Sequence, residues 1–143
     1  TWVGDLTATL IAPNGTQHTI FGRTLATTAA GVGDNSDVAG PYTFSDSSLT
    51  PPNGGWWQAA TAAGATAALT AGSYRTTASG GAGATNPMPP TPMTSAFAGI
   101  PSSNGTWTLR GFADGVSGEL DAGGNLPRSA PGRFGLDLGW SLD

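Results

Sequence analysis

From Trp2 to Phe21 the chain reads as two strands joined by a tight turn. After Gly4, residues Leu6, Ala8 and Leu10 fall on one face of the segment Trp2–Ile11, and Thr7, Thr9 and Ile11 on the other. A period of two with β-branched residues is the pattern of an extended chain buried on one side. Pro13-Asn14-Gly15 then reverses the direction, with a glycine free to take positive φ, and Gln17 to Phe21 returns as the partner strand. A hairpin of this kind must lay its apolar face against further structure, so the rest of the chain has to supply the other half of a core.

The remaining sequence repeats the same grammar. Gly31 to Asp46 reads as a loop closing into a short strand at Tyr42 to Phe44, and PPNGGWW (51–57) as a turn with two aromatic anchors. Asn104 to Phe112 is a second strong strand, with Trp107 and Leu109 on one face and Thr106, Thr108 and Arg110 on the other. Further strand patterns lie at Gly118 to Leu120 and Leu136 to Leu142. Between them, Gln58 to Thr91 is rich in Ala, Thr and Gly and ends in clustered prolines. Ala59 to Leu69 has helical propensity but no apolar stripe to bury, so long loops with at most one short helical turn are expected. Twenty-three glycines and eleven prolines in 143 residues argue against long helices. The expectation is an all-β chain, a single domain over residues 1–143 built as a jelly-roll-like antiparallel sandwich with long Ala/Gly/Pro-rich loops.

Charge narrows the function. The net charge is −4 and the arginines at 23, 75, 110, 128 and 133 are scattered, whereas nucleic acid and anionic membrane surfaces require a concentrated basic face. No run of about eighteen apolar residues exists to span a bilayer. The chain lacks cysteine, which removes disulfides, thiolate metal sites and thiol nucleophiles. A lysine-free surface of Thr, Ser, Gly and Asn points to an extracellular or cell-surface setting. The chain opens on TWVGDL, in the middle of a strand pattern, so either a leader has been removed or the chain is a fragment.

Several blocks in order, TWVGDLTATLIAPNGT, GVGDN with TFSD, SYR, SAFAGIPSSNGTWTLRGFAD, GELD and a closing WSLD, resemble the P domain (P/Homo B domain) that follows the catalytic domain in proprotein convertases and many secreted bacterial proteases. The resemblance covers most of the chain except the Ala/Gly/Pro-rich span and Asp121 to Gly135. It departs from the family pattern in three ways. A leading strand before Thr1 is missing, Ser45-Asp46 stands where the family often has an acidic pair, and Asp121 to Gly135 looks like an insertion. The resemblance implies a jelly-roll sandwich, a secreted setting, bound calcium and no active site.

Eight of the nine acidic residues are Asp, set in Gly- and Asn-rich loops. Short carboxylates in such loops suit Ca²⁺, which takes six to eight oxygens; they are also the ordinary residues of turns, through local bonds to backbone N–H groups. Asp5, Asp34, Asp46 and Asp114 fall in the family-matching blocks, and with Asn35 they are the candidate calcium ligands. Trp56 and Trp57, beside Gly54-Gly55, are candidates for stacking on a sugar. His18, the sole histidine, is expected to be an exposed strand residue, and no GxSxG-like nucleophile turn accompanies it. Arg110 is a candidate ion-pair partner of Asp114 or Glu119. Asn14-Gly15-Thr16 and Asn104-Gly105-Thr106 match the glycosylation acceptor pattern but read first as turns.

Three functions follow as expectations. The first is a non-catalytic, calcium-stabilised structural or assembly module, with other chains or copies of itself as partners, forming a filament or surface array by strand addition. The second is an accessory C-terminal domain of a secreted subtilisin-like protease. The third is a carbohydrate-binding module.

Overall fold

A computed structural model of the chain describes residues 2–48, 54–64 and 67–113, with residues 112 and 113 as backbone only. The described part is mostly strand, with an antiparallel sheet and helices of eight and five residues. The strand patterns at Gly118–Leu120 and Leu136–Leu142, and the insertion at Asp121–Gly135, lie outside the described residues.

Strand β1, Leu6–Ile11, alternates buried and half-buried positions, as its period of two requires. It pairs antiparallel with β2, Gln17–Gly22, through the expected turn, where Gly15 has φ of 88° and donates to the Ala12 carbonyl. The register shifts between Ala8 and Thr9, so Ile20 is the extra residue of a bulge. That bulge lets Ile20 and Phe21, neighbours in sequence, both turn inward and bury fully. The strand expected from Trp2 begins later. Val3–Asp5 form a single 3-10 turn instead, because the N–H groups of Val3 and Gly4 bond the carbonyls of Ser36 and Asp34.

Four short strands form two parallel pairs. β3 (Asp37–Val38) lies parallel to β5 (Ala68–Leu69), and β4 (Tyr42–Phe44) parallel to β6 (Gly72–Tyr74). The strand expected near the end of the described chain is β7, Thr108–Ala113, antiparallel to β1 on the side away from β2. The larger sheet therefore runs β2-β1-β7.

Between β4 and β5 the expected loop is a helix. α1 spans Trp56–Ala63 and ends on Gly64, whose φ of 76° suits glycine. The apolar stripe is present but starts three residues before Ala59. Trp56, Trp57, Ala59 and Ala60 are the buried positions, and the spacing of three and four places them on one face. Trp56 is the hub of the core. Its ring stacks on Phe21 at 4.5 Å, meets Tyr42 and Tyr74 edge-on at 5.3 Å, and its indole N–H donates to Thr24 Oγ1 at 2.9 Å. The second helix, α2 (Met93–Phe97), carries Phe97 onto Trp107 at 5.2 Å. Among the described residues no helix is long and apolar enough to cross a membrane.

Candidate functional site

The expected calcium ligands divide between two places. The first is the crossing of the Val3–Asp5 turn with the loop before β3. Gly4 fits there because a Cβ on it would stand 2.4 Å from the Asp34 amide nitrogen. Gly4 N–H donates to the Asp34 carbonyl and Asp34 N–H to the Thr24 carbonyl, both at 2.8 Å, which fixes the loop at two points. The Asp34 side chain is buried and accepts a short hydrogen bond from the buried Ser36 hydroxyl. Asn35 follows, and its side-chain oxygen Oδ1 is buried with no hydrogen-bond partner. A buried amide oxygen left without a donor is costly unless something else meets it, and an oxygen next to a carboxylate is the ligand type a hard cation takes. Asp5 follows directly on Gly4. Asn35 Oδ1 is thus the oxygen of this loop that lacks a donor, while the Asp34 carboxylate is engaged by Ser36. Among the described residues no group of three or more His, Cys, Asp or Glu side chains gathers.

Asp46 is in the other place and performs a different task. Its Oδ1 accepts from Met93 N–H, and its Oδ2 from Thr94 N–H, both at 2.8 Å, and from the Thr94 hydroxyl at 2.6 Å. It therefore caps α2, whose own N-cap residue is Pro92 and supplies no side-chain acceptor. Burial pushes the Asp46 carboxyl upward, but these three hydrogen bonds, with help from the nearby His18, outweigh it and hold the group below its ordinary value. Asp34 sits beside Thr24, past the end of β2, whereas Asp46 interacts with His18 near its start. The structure does not bring Asp46 to the Asp34 loop. Asp114 lies outside the described residues.

His18 is half-buried rather than exposed. Its Nε2 is 2.8 Å from Thr76 Oγ1, and its ring meets Phe97 edge-on at 5.8 Å. The Thr76 hydroxyl donates to the Thr91 carbonyl at 2.5 Å, so it accepts from Nε2–H and the tautomer is fixed. A threonine, a histidine and an aspartate thus come together, but not as a catalytic triad. The histidine donates to the threonine instead of taking its proton, and Thr76 is fully buried.

The sugar-stacking reading of Trp56 and Trp57 is corrected by their burial. Both are fully enclosed in the core and present no face to a ligand. The proposed partners of Arg110, Asp114 and Glu119, lie outside the described residues. Asn14 and Asn104 are exposed, and Asn14 Oδ1 accepts from Thr16 N–H at 3.0 Å, the bond of an Asx turn.

Sequence reasoning missed the Asp46 cap and the pairing of His18 with Thr76. These pairings join residues 47 and 58 positions apart, and no local pattern marks either. Comparison of the chain with protein-family models, with curated proteins and with solved structures finds no match.

Proposed function

We propose that the chain is a non-catalytic, extracellular module, a jelly-roll-like β-sandwich over residues 1–143 stabilised by calcium, which works by assembling with other chains, copies of itself included. The supporting observation is the strand order. In the sheet β2-β1-β7, β7 is six residues long and terminal, and among the described residues no strand pairs with its outer edge. An edge of that length offers a row of backbone donors and acceptors that another strand can fill. β2, at the opposite side, is already partly covered, since Thr77 N–H donates to the Ile20 carbonyl and Gly22 bridges to Ser79. The calcium ion would be held by Asp34, Asn35 and carbonyls of their loop. Its positive charge would offset the carboxylates that the lysine-free sequence leaves uncompensated.

Sedimentation velocity at rising protein concentration, with Ca²⁺ and with chelator, tests the proposal. Oligomers or filaments that grow with concentration are expected, and negative-stain images should show them. A monodisperse monomer at all concentrations in both conditions would overturn it.

A further inference from the structure

Outside the aspartate loops, the side chain of Arg23 is held by neutral acceptors among the described residues. Arg23 follows β2 directly, and its guanidinium Nη2 donates to the carbonyls of Ala29 and Gly31 at 2.9 and 3.0 Å. Those two bonds orient the guanidinium plane, and both acceptors are neutral carbonyls. Among the described residues it meets no carboxylate. Its backbone is also unusual. Arg23 has φ of 40° and Leu25 of 64°, in the left-handed region that non-glycine residues rarely adopt. Strain of this kind persists where the surroundings impose it, and it concentrates at ligand sites.

Arg23 lines an open surface depression of about 460 Å³ together with Ala29, Ser79, Ala82, Met88 and the glycines of the segment 80–83. The glycines make room for it. A Cβ on Gly81 would stand 3.2 Å from Arg23 Nη1, and one on Gly80 would stand 2.2 Å from the Arg23 carbonyl. Gly80 and Gly81 donate to the carbonyls of Gly22 and Ala26, and Ala84 donates to Gly81, so the loop is tied down at its base. The N–H groups of Ala82 and Gly83, at its tip, have no such backbone acceptor among the described residues.

We propose that this depression is a binding site for a small carboxylate monoanion, with Arg23 as its charged donor. One guanidinium balances one negative charge, and Nη1, which lies toward Gly81, can donate to a carboxylate oxygen while Nη2 stays on the Ala29 and Gly31 carbonyls. The net charge of −4 on the chain disfavours polyanions. The apolar walls from Ala29 and Met88 and the Ser79 hydroxyl suit the body of a small organic acid, and the volume admits a single sugar or amino-acid unit. The site is independent of the β7 edge.

The test is a titration of ¹⁵N-labelled protein, followed through its amide signals, with glucuronate, with N-acetylglycine, and with glucose as the uncharged control. One or both carboxylates should bind with a dissociation constant of about a millimolar, shifting the signals of residues 79–84, and glucose should not. Glucuronate alone would place the carboxylate on an acidic sugar, and N-acetylglycine alone on a peptide terminus. Arg23→Gln should weaken binding at least about tenfold. Because that change also removes the bonds to Ala29 and Gly31, Ala82→Glu provides the second variant. It keeps Arg23 in place and supplies a competing carboxylate on the wall, and it should weaken binding to a similar degree. Failure of both carboxylates to bind the native chain, or unchanged binding in Ala82→Glu or in folded Arg23→Gln, would overturn the proposal.

Discussion

His18 Nε2 donates to Thr76 Oγ1 across 2.8 Å, and the threonine hydroxyl donates in turn to the Thr91 carbonyl. This chain ties the first hairpin to the segment that leads into α2. Burial pushes the His18 imidazole below its ordinary value, against a smaller upward pull from Asp46. The folded state therefore takes up the proton less readily than the unfolded state does. Stability should be full above about pH 6.5, the ordinary histidine value, and should decline as pH falls through it toward the lower folded value. Urea unfolding at pH 7.5, 6 and 5 measures this. The decline over that range should be absent in His18→Asn.

Asp46 is expected to control α2. Asp46→Ala leaves the Met93 and Thr94 donors without their acceptor and should cost about 1–2 kcal/mol. The near-ultraviolet signal of Trp107 should report the loss, because Phe97 rides on α2 and contacts that ring. Since the Asp46 carboxyl is held below its ordinary value, its contribution is present above about pH 4 and is lost as pH falls further.

The adjacent tryptophans should behave differently. Trp56→Phe removes the donor to Thr24 Oγ1 and leaves that buried hydroxyl unmatched, at a cost of about 1–3 kcal/mol for the hydrogen bond beyond the lost volume. Trp57 Nε1 is buried with no partner, so Trp57→Phe removes an unmatched donor and should cost less than Trp56→Phe. Denaturant midpoints of the two variants, compared in one buffer, decide the order.

Calcium should raise the melting temperature of chelator-treated protein. At a hundred times the dissociation constant, binding adds about 2.7 kcal/mol, which corresponds to a shift of roughly 10 °C for a chain of this size. Asp34→Asn should lose most of that shift. An unchanged melting temperature in the native chain would remove calcium from the proposed function.

How far the sequence could be read follows from where its information sits. β1, the Pro13-Asn14-Gly15 turn and β4 at Tyr42–Phe44 were legible because period two and turn chemistry are local. α1 was missed because its stripe begins with Trp56 and Trp57, which look like turn anchors when the helical window is opened at Ala59. The 3-10 turn at Val3–Asp5 was missed because its cause is the distant loop around Asp34. The reassignment of Asp46 to α2 depends on tertiary contact alone.

Hydrogen exchange of the β7 amides, Thr108 to Ala113, tests the assembly proposal most directly. Among the described residues no strand covers the outer edge of β7, so alternate amides should exchange rapidly in dilute protein and become protected as concentration rises and a second strand pairs with them. Protection of every β7 amide that is already complete in the dilute monomer, or rapid exchange that persists unchanged at high concentration, would contradict assembly through this edge.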